Sequence, residues 1–123
     1  RDLHSFPTRR SSDLDLDLYY RGLKVQQRLA NQDPEIYEYD YVVGLNNLAA
    51  LHYRMGDAEQ ALTIYTFALS AYGRDTLKDP DTFAPIIAEL MHGIAVCTEK
   101  VGREHDAAQW REDERRMRDT FGL

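Results

Sequence analysis

The residues of this chain that could carry out chemistry are few and stand apart in the sequence. Cys97 is the single cysteine, and a thiol becomes a nucleophile only where its surroundings lower its pKa. Cys97 falls instead at a repeat position that predicts burial. His92 and His105 belong to different predicted helices and lack the close spacing of a metal-binding helix face. The sequence therefore predicts no catalytic centre and no metal site.

Two pairs of carboxylates have a spacing that acid–base chemistry can use, namely Asp33 with Glu35 and Asp79 with Asp81. Each pair begins a predicted helix, where the helix dipole favours negative charge in any case. His52 falls on the apolar face of a predicted helix, so a packing role is expected for it. The glycines are scattered rather than clustered in a phosphate-binding loop, and we expect no cofactor.

The elements that position these side chains recur with a period of 46 residues, the separation of Asp33-Pro34 from Asp79-Pro80. A period in this range is typical of stacked supersecondary units, because no single unit can bury its own apolar face. The same shift carries apolar and small residues onto similar ones: Leu45 onto Met91, Leu48 onto Ile94, Ala49 onto Ala95, Gly56 onto Gly102 and Ala61 onto Ala107.

Each unit has the pattern of two helices. The Asp-Pro pairs at 33–34 and 79–80 suit the N-cap and first position of a helix. Apolar residues then recur at steps of three and four up to Met55, and Gly56 permits the left-handed geometry of a helix end. Small residues such as Ala49 and Ala61 allow the two helices to approach closely. The core residues that the pattern predicts are Leu48, Ala49, Leu51, Ala61, Leu62, Tyr65, Ile94, Ala95, Cys97 and Ala107. With no strand-like alternation of any length, the pattern predicts an all-α fold.

This arrangement of large and small residues resembles the tetratricopeptide repeat (TPR). The first helix departs from the family pattern at His52, and the second copy departs further at Thr98, Arg111 and Glu114. The long period resembles the extended, kinesin-light-chain-like repeats of bacterial proteins. The resemblance covers residues 15–118 and implies an α-solenoid of antiparallel helix pairs. The matching positions of the first copy are Leu45, Leu48, Ala49, Gly56, Ala61, Tyr65, Ala68 and Leu69.

Residues 1–14 resemble the translation of a sequencing adapter rather than a native protein segment. We therefore expect residues 1–12 to pack loosely against the helices that follow. The remainder is predicted to hold the second helix of a truncated repeat at 15–32, a complete repeat at 33–78, and a C-terminal repeat with a polar capping helix at 79–123. On this interpretation the chain is a fragment, and its native N-terminal part is missing.

The composition favours a protein or peptide partner. The formal net charge is −6, whereas nucleic-acid binding depends on Lys and Arg that neutralise phosphates. No apolar run approaches the ~18 residues that a membrane span requires. A single cysteine favours a reducing compartment such as the cytoplasm. Because the native start is expected to be missing, the presence of a signal peptide stays open, and the sequence leaves the oligomeric state open too.

In the family that the chain resembles, the first helices line a concave groove that holds an extended peptide or a partner helix. Asn46 and Asn47 of this chain can pair with a peptide backbone, although solvation of a helix surface explains their presence equally well. The Lys and Asn of the chaperone-binding subtype are replaced by Asn46 and Ala50, which disfavours a chaperone-tail receptor. The groove residues predicted here are Asn46, Asn47, Tyr53, Arg54, His92 and Glu99.

Two functions are consistent with this pattern. The first is a non-catalytic interaction scaffold that binds a peptide or a partner helix in the concave groove. The second is a regulatory or sensor region of a larger signalling protein or enzyme, whose effector domain lies outside the fragment. The upstream coding sequence discriminates between them, because further repeats support the first and an ATPase, kinase or protease domain supports the second.

Overall fold

The computed structural model of the chain describes the backbone of residues 2–123 and the side chains of residues 13–123. The described backbone forms helices joined by short turns and contains no strand, so the prediction of an all-α fold is confirmed. The helices are α1 (Asp2–Gln32), α2 (Pro34–Arg54), α3 (Ala58–Tyr72), α4 (Asp75–Lys78), α5 (Pro80–Lys100) and α6 (Glu104–Phe121).

The adapter-like segment belongs to α1, whose helical backbone runs without a break from Asp2 to Gln32. The expected boundary after residue 14 is therefore not marked by a turn. The prediction of loose packing for residues 1–12 concerns side chains that lie outside the described residues.

The period of 46 residues is present in the backbone as well as in the sequence. α2 and α5 are each 21 residues long and begin 46 residues apart. Their N-cap residues share one conformation, with φ −144° and ψ 81° at Asp33 and φ −145° and ψ 77° at Asp79. The turns that follow also match, since Gly56 has φ 88° and Gly102 has φ 90°. Glycine suits both turns because a side chain is strained in that region.

Side chains cap two of the three helices that an aspartate precedes. Asp57 Oδ1 accepts a hydrogen bond from the Gln60 amide at 3.1 Å, and Asp79 Oδ1 accepts one from the Thr82 amide at 3.4 Å. Asp33 has the N-cap position but makes no such hydrogen bond. Asp33 thus occupies the predicted N-cap position, but its side chain does not cap the helix.

Helices that are near one another in the chain pack together: α1 on α2, α2 on α3, α3 on α5, α4 on α5 and α5 on α6, while α2 also touches α5. Fully buried alanines lie at these crossings, which lets the helix backbones approach closely. Of the core residues predicted from the sequence, Leu62 alone is only partly buried. The others are buried: Leu48, Ala49, Leu51, Ala61, Tyr65, Ile94, Ala95, Cys97 and Ala107.

The short helix α4 is a feature that the sequence pattern did not predict. It follows Gly73, which keeps right-handed helical angles (φ −56°, ψ −32°) and so turns the chain without a left-handed break. Thr76 of α4 is buried, and its hydroxyl has no hydrogen-bond partner among the described residues. Asp75 Oδ2 is likewise buried without a donor.

Candidate functional site

Three of the six predicted groove residues meet in one cavity between α2 and α5. Tyr53 and Arg54 lie in the last turn of α2, and His92 lies midway along α5. They line a cavity of about 270 Å³ whose wall also includes Tyr65 of α3. Arg54 and His92 are exposed and Tyr53 is partly buried, so the cavity offers an aromatic ring beside two side chains that can donate hydrogen bonds.

Small residues make this cavity possible. Ala50 of α2 and Gly93 of α5 both line it. Gly93 is buried against the Tyr65 ring, and a Cβ at position 93 would lie 2.6 Å from Cε1 of that ring. α5 can therefore lie directly on Tyr65 only because position 93 has no side chain. Burial also raises the pKa of the Tyr65 hydroxyl to about 12.

The two predicted asparagines lie apart from this cavity. Asn47 is exposed and lines a separate cavity of about 570 Å³ between α1 and α2, together with Tyr19 and Gly44. Asn46 is partly buried one position earlier on α2. The α2–α5 cavity is thus lined by three of the six predicted residues, while Asn46, Asn47 and Glu99 lie outside its lining.

His92 and Glu99 make polar contacts with α6. Arg111 Nη2 donates to Glu99 Oε1 at 2.7 Å, and His92 Nδ1 lies 3.2 Å from Glu114 Oε1. Both residues therefore lie on the side of α5 that faces α6. Seven residues separate them, so they share one stripe of α5, and the antiparallel α6 presents its partners in reverse order.

The repeat pattern marks Arg111 and Glu114 only as polar departures, so it does not predict them as partners of Glu99 and His92. Their charges are the signal in the sequence that could have indicated these contacts. Glu114 also accepts a hydrogen bond from Arg118 Nε at 2.8 Å. The His92 side chain is 57% exposed and that of Glu114 is 13% exposed, so the carboxylate is the more buried member of that pair. Glu114 thereby holds the His92 ring at the rim of the cavity.

His52 is a packing histidine, as the sequence indicated. It is 7% exposed, and its Nε2 lies 2.9 Å from the Tyr20 hydroxyl of α1. Its Nδ1 lies 3.8 Å from Asp57 Oδ2 at the start of α3. The side chain thus connects the three helices α1, α2 and α3, in the place where the resembled family has a tyrosine.

The remaining candidates for chemistry are dispersed. Cys97 is 1% exposed, and burial raises the pKa of its thiol to about 11, the opposite of the shift that makes a nucleophile. Across residues 13–123 no three side chains of His, Cys, Asp or Glu come together as a metal would require. Both carboxylate pairs lie in the first turns of α2 and α5, as expected from the helix dipole.

Comparison of the chain with protein-family models, with curated proteins and with solved structures finds no match. None of the described helices is long and apolar enough to cross a membrane. The geometry of this chain and the repeat pattern within it are therefore the observations from which its function is inferred.

Proposed function

We propose that this chain is a non-catalytic interaction module that binds an extended peptide or a partner helix in the groove between α2 and α5. The observation that carries the proposal is the α2–α5 cavity, which brings Tyr53, Arg54 and His92 together at the surface. Tyrosine and arginine side chains in a surface pocket are among the residues that most often concentrate binding energy at an interface.

The internal repeat supports an α-solenoid of the tetratricopeptide type as the architecture of this module. Two consecutive helix pairs share their cap conformations and their turn glycines 46 residues apart. Each helix packs mainly on its neighbours in the chain, which is how stacked repeats bury their apolar faces. The spacing of Leu48, Ala49, Gly56 and Ala61 agrees with the repeat that the sequence resembles. A cytoplasmic location, favoured by the single cysteine, is part of the same proposal.

The chemistry of the cavity favours a ligand with a carboxylate. Arg54 presents a planar guanidinium that can hold a carboxylate through two parallel hydrogen bonds. The acidic side chains described near this cavity are already engaged: Glu114 pairs with His92 and Arg118. An acidic side chain or a C-terminal carboxylate beside an apolar residue would therefore suit Arg54 and Tyr53 together.

The proposal is tested by selecting peptides from a display library with free C-termini and then titrating the best binder. Tyr53→Ala and Arg54→Ala are each expected to weaken binding by roughly 1 kcal/mol or more, and the substitution at the exposed Arg54 should do so without lowering the melting temperature. Arg74→Ala, at an exposed arginine between α3 and α4, is the matched control and should bind as the parent does. Unchanged affinity in both groove variants would place binding elsewhere.

A further inference from the structure

A second groove lies between α3 and α6, where α5 forms the floor. It encloses about 740 Å³, and it involves none of the residues of the α2–α5 cavity. The side chains that matter for its chemistry are one aromatic ring, two threonines and three carboxylates: Trp110, Thr66, Thr98, Glu59, Asp106 and Asp113.

The repeat supplies a direct comparison for this groove. One period earlier, the equivalent groove between α1 and α3 encloses about 350 Å³. There Tyr20 of α1, on the wall of the groove, hydrogen-bonds at 2.9 Å to His52 of α2, the helix that forms the floor. Their counterparts 46 residues later are Thr66 and Thr98, which have shorter side chains. The α3–α6 groove therefore lacks the tyrosine–histidine contact that links wall and floor in its counterpart.

The same comparison shows a change in charge. The apolar Phe67 and the neutral Gln60 line the earlier groove, and their counterparts in the later one are Asp113 and Asp106. Glu59 adds a third carboxylate, and Arg103 is the positively charged side chain on this lining. The three carboxylates take no part in the ion pairs found among residues 13–123.

Trp110 occupies the position of Ile64 in the earlier groove and is partly buried, so its ring forms part of the wall. The indole ring is the aromatic group that attracts a cation most strongly. A guanidinium can lie flat on such a ring while its N–H groups donate to carboxylates at the edge. We propose that the α3–α6 groove binds a basic peptide segment and takes up an arginine side chain between Trp110 and the carboxylates of Asp106 and Asp113.

The chain contains its own probe, because Trp110 is the single tryptophan. The experiment titrates the full chain with the capped peptide Gly-Arg-Gly-Arg-Gly and follows the fluorescence of Trp110. A saturable change is expected that weakens as salt rises, since exposed ion pairs are screened. The analogue with citrulline in place of arginine has the same shape without the charge, and it should bind at least about fivefold more weakly.

The double variant Asp106→Asn/Asp113→Asn is expected to raise the dissociation constant about fivefold or more. Glu104→Gln is the matched control, because it removes a carboxylate from the same first turn of α6 outside the groove. Equal affinity for the citrulline analogue, no saturable change, or unchanged affinity in the double variant would each overturn the proposal. If Arg54→Ala lost binding of the arginine peptide, the peptide would occupy the α2–α5 cavity instead. Failure of the display-library selection would count against the α2–α5 cavity only, because the arginine-peptide titration does not depend on it.

Discussion

At the scale of single residues, the fold depends on positions that have almost no side chain. Ala49, Ala61 and Ala68 have 0% exposure at the crossing of α2 and α3. Gly93 lies so close to Tyr65 that a Cβ has no room there. Where helices approach this closely, added volume must move a backbone, and protein interiors have little free space to absorb it.

Ala61→Leu tests this point. The larger side chain is expected to destabilise the chain by roughly 1–3 kcal/mol, because it overpacks a close helix contact. The measurement is the free energy of unfolding from denaturant titration. Ala71→Leu is the control, since Ala71 lies on the same helix but is exposed, and it should unfold almost as the parent does. Equal stability of both variants would contradict close packing at position 61.

At the scale of elements, a carboxyl pair connects α2 to the short helix α4. Burial raises the pKa of Glu38 from its ordinary 4.5 to about 7, helped by a hydrogen bond to Asp75 and by the charge of that neighbour, while Lys78 opposes the shift. Asp75 Oδ2 receives no hydrogen bond from a described donor. We therefore expect a protonated Glu38 to donate a hydrogen bond to Asp75, so that the two carboxyl groups share a proton.

This pair gives stability a pH dependence of defined sign. Between about pH 4.5 and about 7 the folded chain binds more protons at Glu38 than the unfolded chain does. Its contribution to stability is therefore complete below pH 4.5 and is lost as pH rises through 7. Glu38→Gln should remove this loss, as measured by denaturation midpoints across that range. Glu35→Gln, an exposed glutamate on the same helix, should keep it. An unchanged slope in Glu38→Gln would contradict the shared proton.

The elements were predictable where a local signal defines them. Pro34, Pro80, Gly56 and Gly102 predicted the helix ends, because proline and glycine restrict the backbone by themselves. α4 was not predictable in this way, since Gly73 keeps helical angles and leaves no sequence mark of a new helix. It packs on α5, a contact that spacing along the chain does not encode.

The candidate site was predictable only in part for a related reason. Spacing shows which residues share a face of one helix, and it correctly grouped Tyr53 with Arg54. It does not give the rotation of one helix against the next. For this reason the sequence did not indicate that Asn47 would lie beside α1, or that Glu99 would pair with α6.

At the scale of the whole molecule, contacts follow the order of the chain. α1 lies against α2 at one end and α6 lies against α5 at the other, and the layers between them are joined by α2 with α3 and by α3 with α5. If the helices form the α-solenoid proposed above, stability is approximately a sum of nearest-neighbour terms. The two ends are then coupled only through the intervening helices. A destabilising substitution at one end should therefore lower local stability mainly at that end.

Leu23→Ala in α1 tests this coupling. Leu23 is 6% exposed and belongs to the core, so its truncation is expected to cost about 2–5 kcal/mol locally. Amide hydrogen exchange should show loss of protection in α1 and the facing part of α2, with α5 and α6 changing least, because local opening reports local stability. Leu77→Ala, at a leucine that is 82% exposed, controls for the substitution itself. If protection fell equally in all helices, the chain would unfold as one cooperative unit, and a local defect in α1 would lower the stability of α5 and α6 as much as its own.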